Sequence, residues 1–298
     1  VAERDYAAAW PAPSSTSFIR GTSIELVRPR PIAAPPEHAL FDFDGTLSLV
    51  REGWMDIMVP MMVRILLPFA GEAESPESIG ALVRDFVGEL TGKQTVYQMM
   101  RLAEEVKSRG GRPRDPLEYK AEYHDLLMAR IASRREGLAD GSIRREEMLV
   151  PGSLSVLGLL KERGVAIHVA SGTDEPYVLE EAGLLGIDEY APGSIHGAQA
   201  DHRTFSKEMV IRRILDTNRI EGSKLLAFGD GYVEIADCKA VGGLAVAVAS
   251  DEAGRSGKPD AWKRRRLIGA GADIVIPDYR EAGPLLDYIW SGGGEAAR

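Results

Sequence analysis

The string Ala39-Leu40-Phe41-Asp42-Phe43-Asp44-Gly45-Thr46-Leu47 constrains this chain more than any other feature: a short apolar run stops abruptly in two carboxylates and a glycine. Such a run reads as a buried strand that delivers Asp42 and Asp44 to its carboxyl end. Two adjacent carboxylates repel each other and call for a cation. After residue 148 the pattern repeats the theme, with strand-like apolar runs at 165–170, 225–228, 244–249 and 273–276. Helical patterns fall between them at 151–163, 175–182, 205–215 and 234–240, and a last one at 281–288 closes the chain. Strands and helices alternating at this spacing predict an α/β fold with a Rossmann-like, mostly parallel sheet. Ligands of such sheets bind outside the carboxyl ends of the strands, where Asp42/Asp44, Ser171/Gly172, Lys207 and Asp230/Glu234 would meet.

Three segments complete the expected organisation. Residues 1–36 form an extension whose six prolines break any period, with one short edge strand at 24–27. Residues 49–147 carry long helical patterns at 79–90, 96–108 and 116–134 and read as a helical unit inserted into the core of 37–48 and 148–298. The most apolar stretch, 54–70, contains Asp56, Arg64, Pro60 and Pro68. It falls short of the roughly 20 apolar residues of a membrane span and reads as buried helix that packs in the cap or pairs subunits.

Composition removes several partners. With 36 Lys and Arg against 45 Asp and Glu, the net charge of −9 offers no general attraction for nucleic acid or an anionic membrane surface. The basic run Lys263-Arg264-Arg265-Arg266 reads as a solvated helix or loop. A single cysteine, Cys238, leaves no disulfide or cysteine-rich metal site, and with no apolar leader in the first 36 residues the expectation is cytoplasmic. Monomer and homodimer are both compatible with the sequence.

The chemistry follows from residue types. Asp42, Asp44, Asp230 and Glu234 supply oxygen ligands suited to Mg2+, and Asp230 and Glu234 stand one helical turn apart. Lys207 adds a cation able to neutralise an anion or keep a nucleophilic carboxylate ionised. Ser171 and the Gly172 amide are small donors for a phosphoryl oxygen. Together they suggest phosphoryl transfer to a carboxylate, with the second carboxylate moving the proton.

The string 41–47 resembles the signature of haloacid dehalogenase-like phosphatases. Val169-Ala170-Ser171-Gly172-Thr173, Lys207 and Gly229-Asp230-Gly231 with Glu234 follow in the order of that superfamily. The resemblance implies Asp42 as nucleophile and Asp44 as acid/base, with Thr46, Ser171 and Lys207 as phosphate or nucleophile partners. It implies magnesium on Asp42, the Asp44 backbone carbonyl and Asp230, with Glu234 where aspartate is often found. It also makes 49–147 a mobile cap, and Arg51 and Trp54 would line the entrance beneath it. The dehalogenase branch generally lacks the second signature aspartate, so Asp44 favours a phosphatase. The expected activity is Mg2+-dependent hydrolysis of a small organic phosphate, a sugar phosphate foremost. The alternatives are an intramolecular phosphomutase and a non-catalytic phosphometabolite-binding protein.

Overall fold

β3 (His38–Phe41) lies near the middle of an eight-stranded sheet, with parallel neighbours on both sides, and every residue of it is buried. The computed structural model describes residues 6–199 and 201–293; the first five residues of the expected extension, Ala200 and the last five of the chain lie outside the described residues. On one side β3 pairs with β4 (Ala166–Asp174) and β4 with β5 (Ile195–Ala198). On the other it pairs with β6 (Leu225–Gly229), followed by β7 (Leu244–Val248) and β8 (Ile274–Ile276), all parallel. The chain builds one side of β3 and then crosses to the other, so the crevice between the carboxyl ends of β3, β4 and β6 is the switch point where a doubly wound sheet binds its ligands.

The strands are continuous Val/Leu/Ile/Ala/Phe runs because both faces are covered. Phe41 and Phe228 stack across the β3/β6 pair with ring centroids 4.4 Å apart, against Tyr279. α5 (Ser153–Glu162), α6 (Glu175–Leu185) and α10 (Ala282–Trp290) bury their apolar stripes in the larger core with Phe41, Val169 and Phe228. α7 (Lys207–Asn218), α8 (Tyr232–Ala240) and α9 (Ala261–Ala270) pack the opposite face with Leu40, Ala227 and Ala245. Sequence patterning missed β5 and left α9 open between helix and loop. β5 is only four residues and contains His196 and Gly197, while the interior of α9 is dominated by charge.

Four helices follow β3: α1 (Met55–Leu66), α2 (Pro76–Leu90), α3 (Thr95–Ser108) and α4 (Pro116–Asp140). α2 starts on a reciprocal Ser75/Ser78 capping box with Pro76 in the first turn, and α4 starts on an Asp115 cap and ends on Gly141 in the left-handed region. The apolar 54–70 stretch becomes α1, with Met58, Met61, Met62 and Leu66 buried and the helix ending just before Pro68. No helix among the described residues is long and apolar enough to cross a membrane.

The strand expected at 24–27 is β2 (Glu25–Leu26), antiparallel to β8 and flanked by β1 (Ser17–Phe18). Around it the extension wraps α9. The Tyr6 hydroxyl donates to the Arg266 carbonyl, Arg28 donates to the Ile268 and Ala272 carbonyls, and Glu25 accepts from Arg264 in a bidentate pair.

Candidate active site

The backbone turns immediately after β3. Asp42 N still donates to Phe228 O of β6, but at Gly45 φ is +74° and the chain folds back so that Leu47 N and Ser48 N both donate to Phe43 O. An added side chain at Gly45 would collide with Asp230, so this position needs glycine for both its conformation and its clearance. The turn presents Asp42 and Asp44 in different directions.

Asp42 faces Lys207, the first residue of α7. Ser206 caps that helix by accepting from Met209 N, which fixes where it begins and aims Lys207 at the sheet. Lys207 Nζ donates to Asp42 Oδ1 at 2.8 Å and to Glu234 Oε1 at 2.9 Å. Burial alone would lower the ammonium's pKa, but the Asp42 and Glu234 carboxylates outweigh it and hold Lys207 protonated. Burial pushes Asp42 up to about 7 against the pull of Lys207.

Asp44 Oδ2 accepts from Thr173 Oγ1 at 2.8 Å and Ser171 Oγ at 3.3 Å, and Arg51 Nε stands 3.8 Å from Oδ1. Burial raises the Asp44 carboxyl, with Arg51 opposing. Arg51 itself makes a bidentate pair with the fully buried Glu181 of α6 at 2.8 and 3.0 Å.

Asp230 follows β6, and Glu234 sits in the first turn of α8, where the helix dipole favours its charge. Asp42, Asp230 and Glu234 each place a carboxylate oxygen within 4.8 Å of the others. Glu234 Oε2 is buried with no hydrogen-bond partner. Among the described residues around the cavity, the carboxylates of Asp42, Asp44, Glu52, Glu181, Asp230, Glu234 and Glu252 outnumber the cations Arg51, Lys93, Arg134, Lys207 and Lys263, and the surplus negative charge suits a further cation. An orphaned buried oxygen in an all-oxygen donor set fits a hard divalent ion.

A cavity of about 110 Å3 opens over these groups, lined from the core by Asp42, Asp44, Ser171, Gly172, Lys207 and Asp230. Arg51, Trp54, Met58 and Tyr123 line it too, with Thr91, Gly92 and Lys93 between α2 and α3. Space of this size accommodates on the order of ten waters, which suits a small metabolite. The loop 91–94 touches the core directly: Gln94 Nε2 donates to the His202 and Phe205 carbonyls, and a Cβ built on Gly92 would lie 3.1 Å from Gly231 Cα.

Of the residues singled out in the sequence, Asp42, Asp44, Arg51, Trp54, Ser171, Gly172, Lys207 and Asp230 all reach this cavity, and Glu234 lies just beneath it. One assignment changes, and the part of Asp44 that faces a metal narrows to the carbonyl named for it. The Thr46 hydroxyl, expected at the phosphate, is fully buried; it accepts from Asp230 N at 2.9 Å and donates to Asp230 Oδ1 at 3.3 Å, so it orients Asp230. The Asp44 side chain lies outside the carboxylate cluster, turned to Ser171 and Thr173, which leaves only its backbone carbonyl for a metal. Apart from the exposed Arg265, the run 263–266 is engaged by the fold and is not a solvated face. Lys263 Nζ reaches Asp230 Oδ2 at 2.8 Å and Glu252 Oε1 at 2.6 Å, Arg264 pairs with Glu25, and Arg266 donates to the Glu89 carbonyl of α2 while stacking on Tyr6 and Tyr232. Lys263, Glu252 and Glu181 escaped sequence reading because only the third dimension brings their loops and helices to the β3 turn. The Asp260 N-cap signal ahead of α9 was the one local clue.

A doubly wound parallel sheet with a helical insertion after its central strand and a carboxylate cluster at its switch point defines a small class of α/β enzymes. The chain belongs to the haloacid dehalogenase-like hydrolase family, which it matches over residues 36–242. It is 24% identical over 258 residues to a phosphoglycolate phosphatase of Rhodospirillum rubrum, covering 87% of this chain and 94% of that protein. Among solved structures it resembles β-phosphoglucomutase of Clostridium difficile at 13% identity and a TM-score of 0.58, covering 87% of this chain and 98% of that one. It also resembles CbbY of Rhodobacter sphaeroides, in complex with phosphate, at 20% identity and a TM-score of 0.52, covering 83% and 96%. These two likenesses define the fold.

Proposed function

We propose that the protein is a Mg2+-dependent phosphatase that hydrolyses a small organic phosphate monoester through an aspartyl-phosphate on Asp42. The observation that carries this reading is the Asp42 carboxylate held at a strand end by the buried Lys207 ammonium, beside the unpartnered Glu234 Oε2. A bound divalent ion on Asp42, Asp230 and Glu234, with the Asp44 backbone carbonyl, supplies charge neutralisation for the phosphoryl oxygens. Ser171, the Gly172 amide and Lys207 hold the remaining oxygens. The Asp42 carboxylate attacks phosphorus, the bond to the leaving oxygen breaks, and protonated Asp44 gives that oxygen its proton. Asp44 then takes a proton from water, whose oxygen attacks the acyl phosphate and frees Asp42 and inorganic phosphate. The raised Asp44 carboxyl favours the protonated start.

The helical insertion is read as a cap that covers the reaction, because loop 91–94 meets the backbone at Gly172 and Gly231. Sugar phosphate remains the first substrate class for a cavity of this size and mixed lining. A phosphoglycolate-like acid is the second, favoured by the R. rubrum relative and by Lys93 on the cap side of the cavity. Phosphate release should be measured across sugar phosphates, nucleotides and small phospho-acids, with magnesium and with chelator, for wild type and Asp42→Asn. Magnesium-dependent release abolished by Asp42→Asn is expected; release that survives the substitution overturns the nucleophile. Migration of phosphate within a sugar without net release identifies a mutase instead. Tight binding without turnover identifies a binding protein.

A further inference from the structure

We propose that Lys263 and Glu252 form a built-in counter-ion pair that sets how tightly the carboxylate cluster takes its divalent cation. This rests on the metal-dependent reading above and concerns residues outside the family match, which ends at 242. Lys263 is in the first turn of α9, the end where a helix disfavours a positive charge, so its placement is compensated only by the carboxylates it meets. Its three ammonium hydrogens have three acceptors: Asp230 Oδ2 at 2.8 Å, Glu252 Oε1 at 2.6 Å and Ser250 Oγ at 3.0 Å. Ser250 Oγ in turn donates to the Gly45 carbonyl at 2.6 Å, tying the ammonium to the turn that carries Asp42 and Asp44.

Lys263 does not line the cavity, whereas Glu252 and Asp230 do, so its charge acts on substrate and metal through Asp230. Asp230 is held from both sides, with Oδ1 on Thr46 and Oδ2 on Lys263. A divalent ion arriving at Asp230 therefore shares that carboxylate with a fixed cation that repels it. Glu252 offsets the repulsion by drawing the ammonium toward itself. Lys263 is in this sense a positioning residue, and the pair biases metal affinity in opposite directions.

The test is Mn2+ binding by electron paramagnetic resonance and Mg2+ binding by calorimetry on the full chain stripped with chelator. Lys263→Met should bind the ion about tenfold more tightly or better, and Glu252→Gln more weakly by about the same factor. Lys263→Arg, which keeps the charge, should stay near wild type. Lys263→Met should also melt below wild type in chelator and recover more on adding Mg2+, because it leaves Asp230 and Glu252 without their cation. An affinity for Lys263→Met within about twofold of wild type, or weaker, overturns the proposal. Should Lys263→Met not fold, an unchanged or tighter Glu252→Gln does so. Wild type that binds no divalent ion removes the metal reading and this proposal together, whereas wild type that binds with both variants unchanged removes this proposal alone.

Discussion

Lys207 Nζ and Asp42 Oδ1 are 2.8 Å apart in a site where Lys207 is only 2% exposed, so the attacking carboxylate of the proposed reaction is paired with a cation that water barely reaches. The same ammonium holds Glu234, and both carboxylates lose their partner if it is removed. Lys207→Met should cost about 3–5 kcal/mol of stability, as breaking a buried pair from one side does. Phosphate release should fall by roughly 10²- to 10³-fold. Denaturant unfolding together with turnover checks both, and a variant as stable and active as wild type would show that the pair is dispensable.

Gly92 sits at φ +102° with its Cα against Gly231, the residue that follows Asp230 and caps α8. A methyl group there would lie 3.1 Å from Gly231 Cα and 3.2 Å from Tyr232 N, both backbone atoms that cannot turn aside. Gly92→Ala should therefore hold loop 91–94 off Gly231 and the start of α8. We expect kcat/KM to fall by about tenfold or more through lost positioning. Folding stability should fall only by the modest cost of a left-handed alanine, about 1–2 kcal/mol. Unaltered kinetics with a normal fold would show that this contact does not govern closure.

The parallel sheet was legible because its strands are unbroken apolar runs bounded by glycine and acid, and Asp42, Lys207 and Asp230 could be placed because they stand at strand and helix ends that local pattern marks. The pattern failed where local sequence and tertiary role part. Thr46 looks like a phosphate ligand from its neighbours, but only the approach of β6 shows that its hydroxyl holds Asp230. Lys263 and Arg266 look like solvent-facing charge in a run of four, yet α9 lies between the carboxylates and the Glu89 carbonyl, and sequence periodicity carries no trace of that. Residues 6–30 show the same limit: a proline-broken text gives no sign that its Tyr6, Glu25 and Arg28 converge on one helix.

That convergence makes the extension structural. β2 covers the edge of β8, and the buried Glu25 joins it to Arg264 at 2.5 and 2.6 Å. Removing residues 1–30 exposes the β8 edge, a template for pairing with other chains. The truncated protein should self-associate and melt lower, which size-exclusion chromatography and thermal unfolding can read. A truncated chain that elutes and melts as wild type would mean that β8 needs no cover.

His168 on β4 faces His38 of β3, its Nε2 3.0 Å from His38 Nδ1, with His196 of β5 beyond. Burial foremost, with the neighbouring His38 and His196, lowers His168 to about 4; His38 and His196 are themselves lowered by burial. Near His38 stands Glu37, and near His196 stand Arg213 and Glu175. A histidine whose folded pKa lies below its unfolded value of about 6.5 contributes stability that is complete above that pH and is lost as pH falls toward 4, because the unfolded chain binds the proton first. The loss attributable to His168 over that window should be about 2 kcal/mol, allowing for partial solvent screening. His168→Gln should flatten the dependence of the denaturant midpoint on pH between about 4 and 6.5 while leaving the neutral-pH value near wild type. A slope in that window unchanged by the substitution would place the titrating groups elsewhere in the fold.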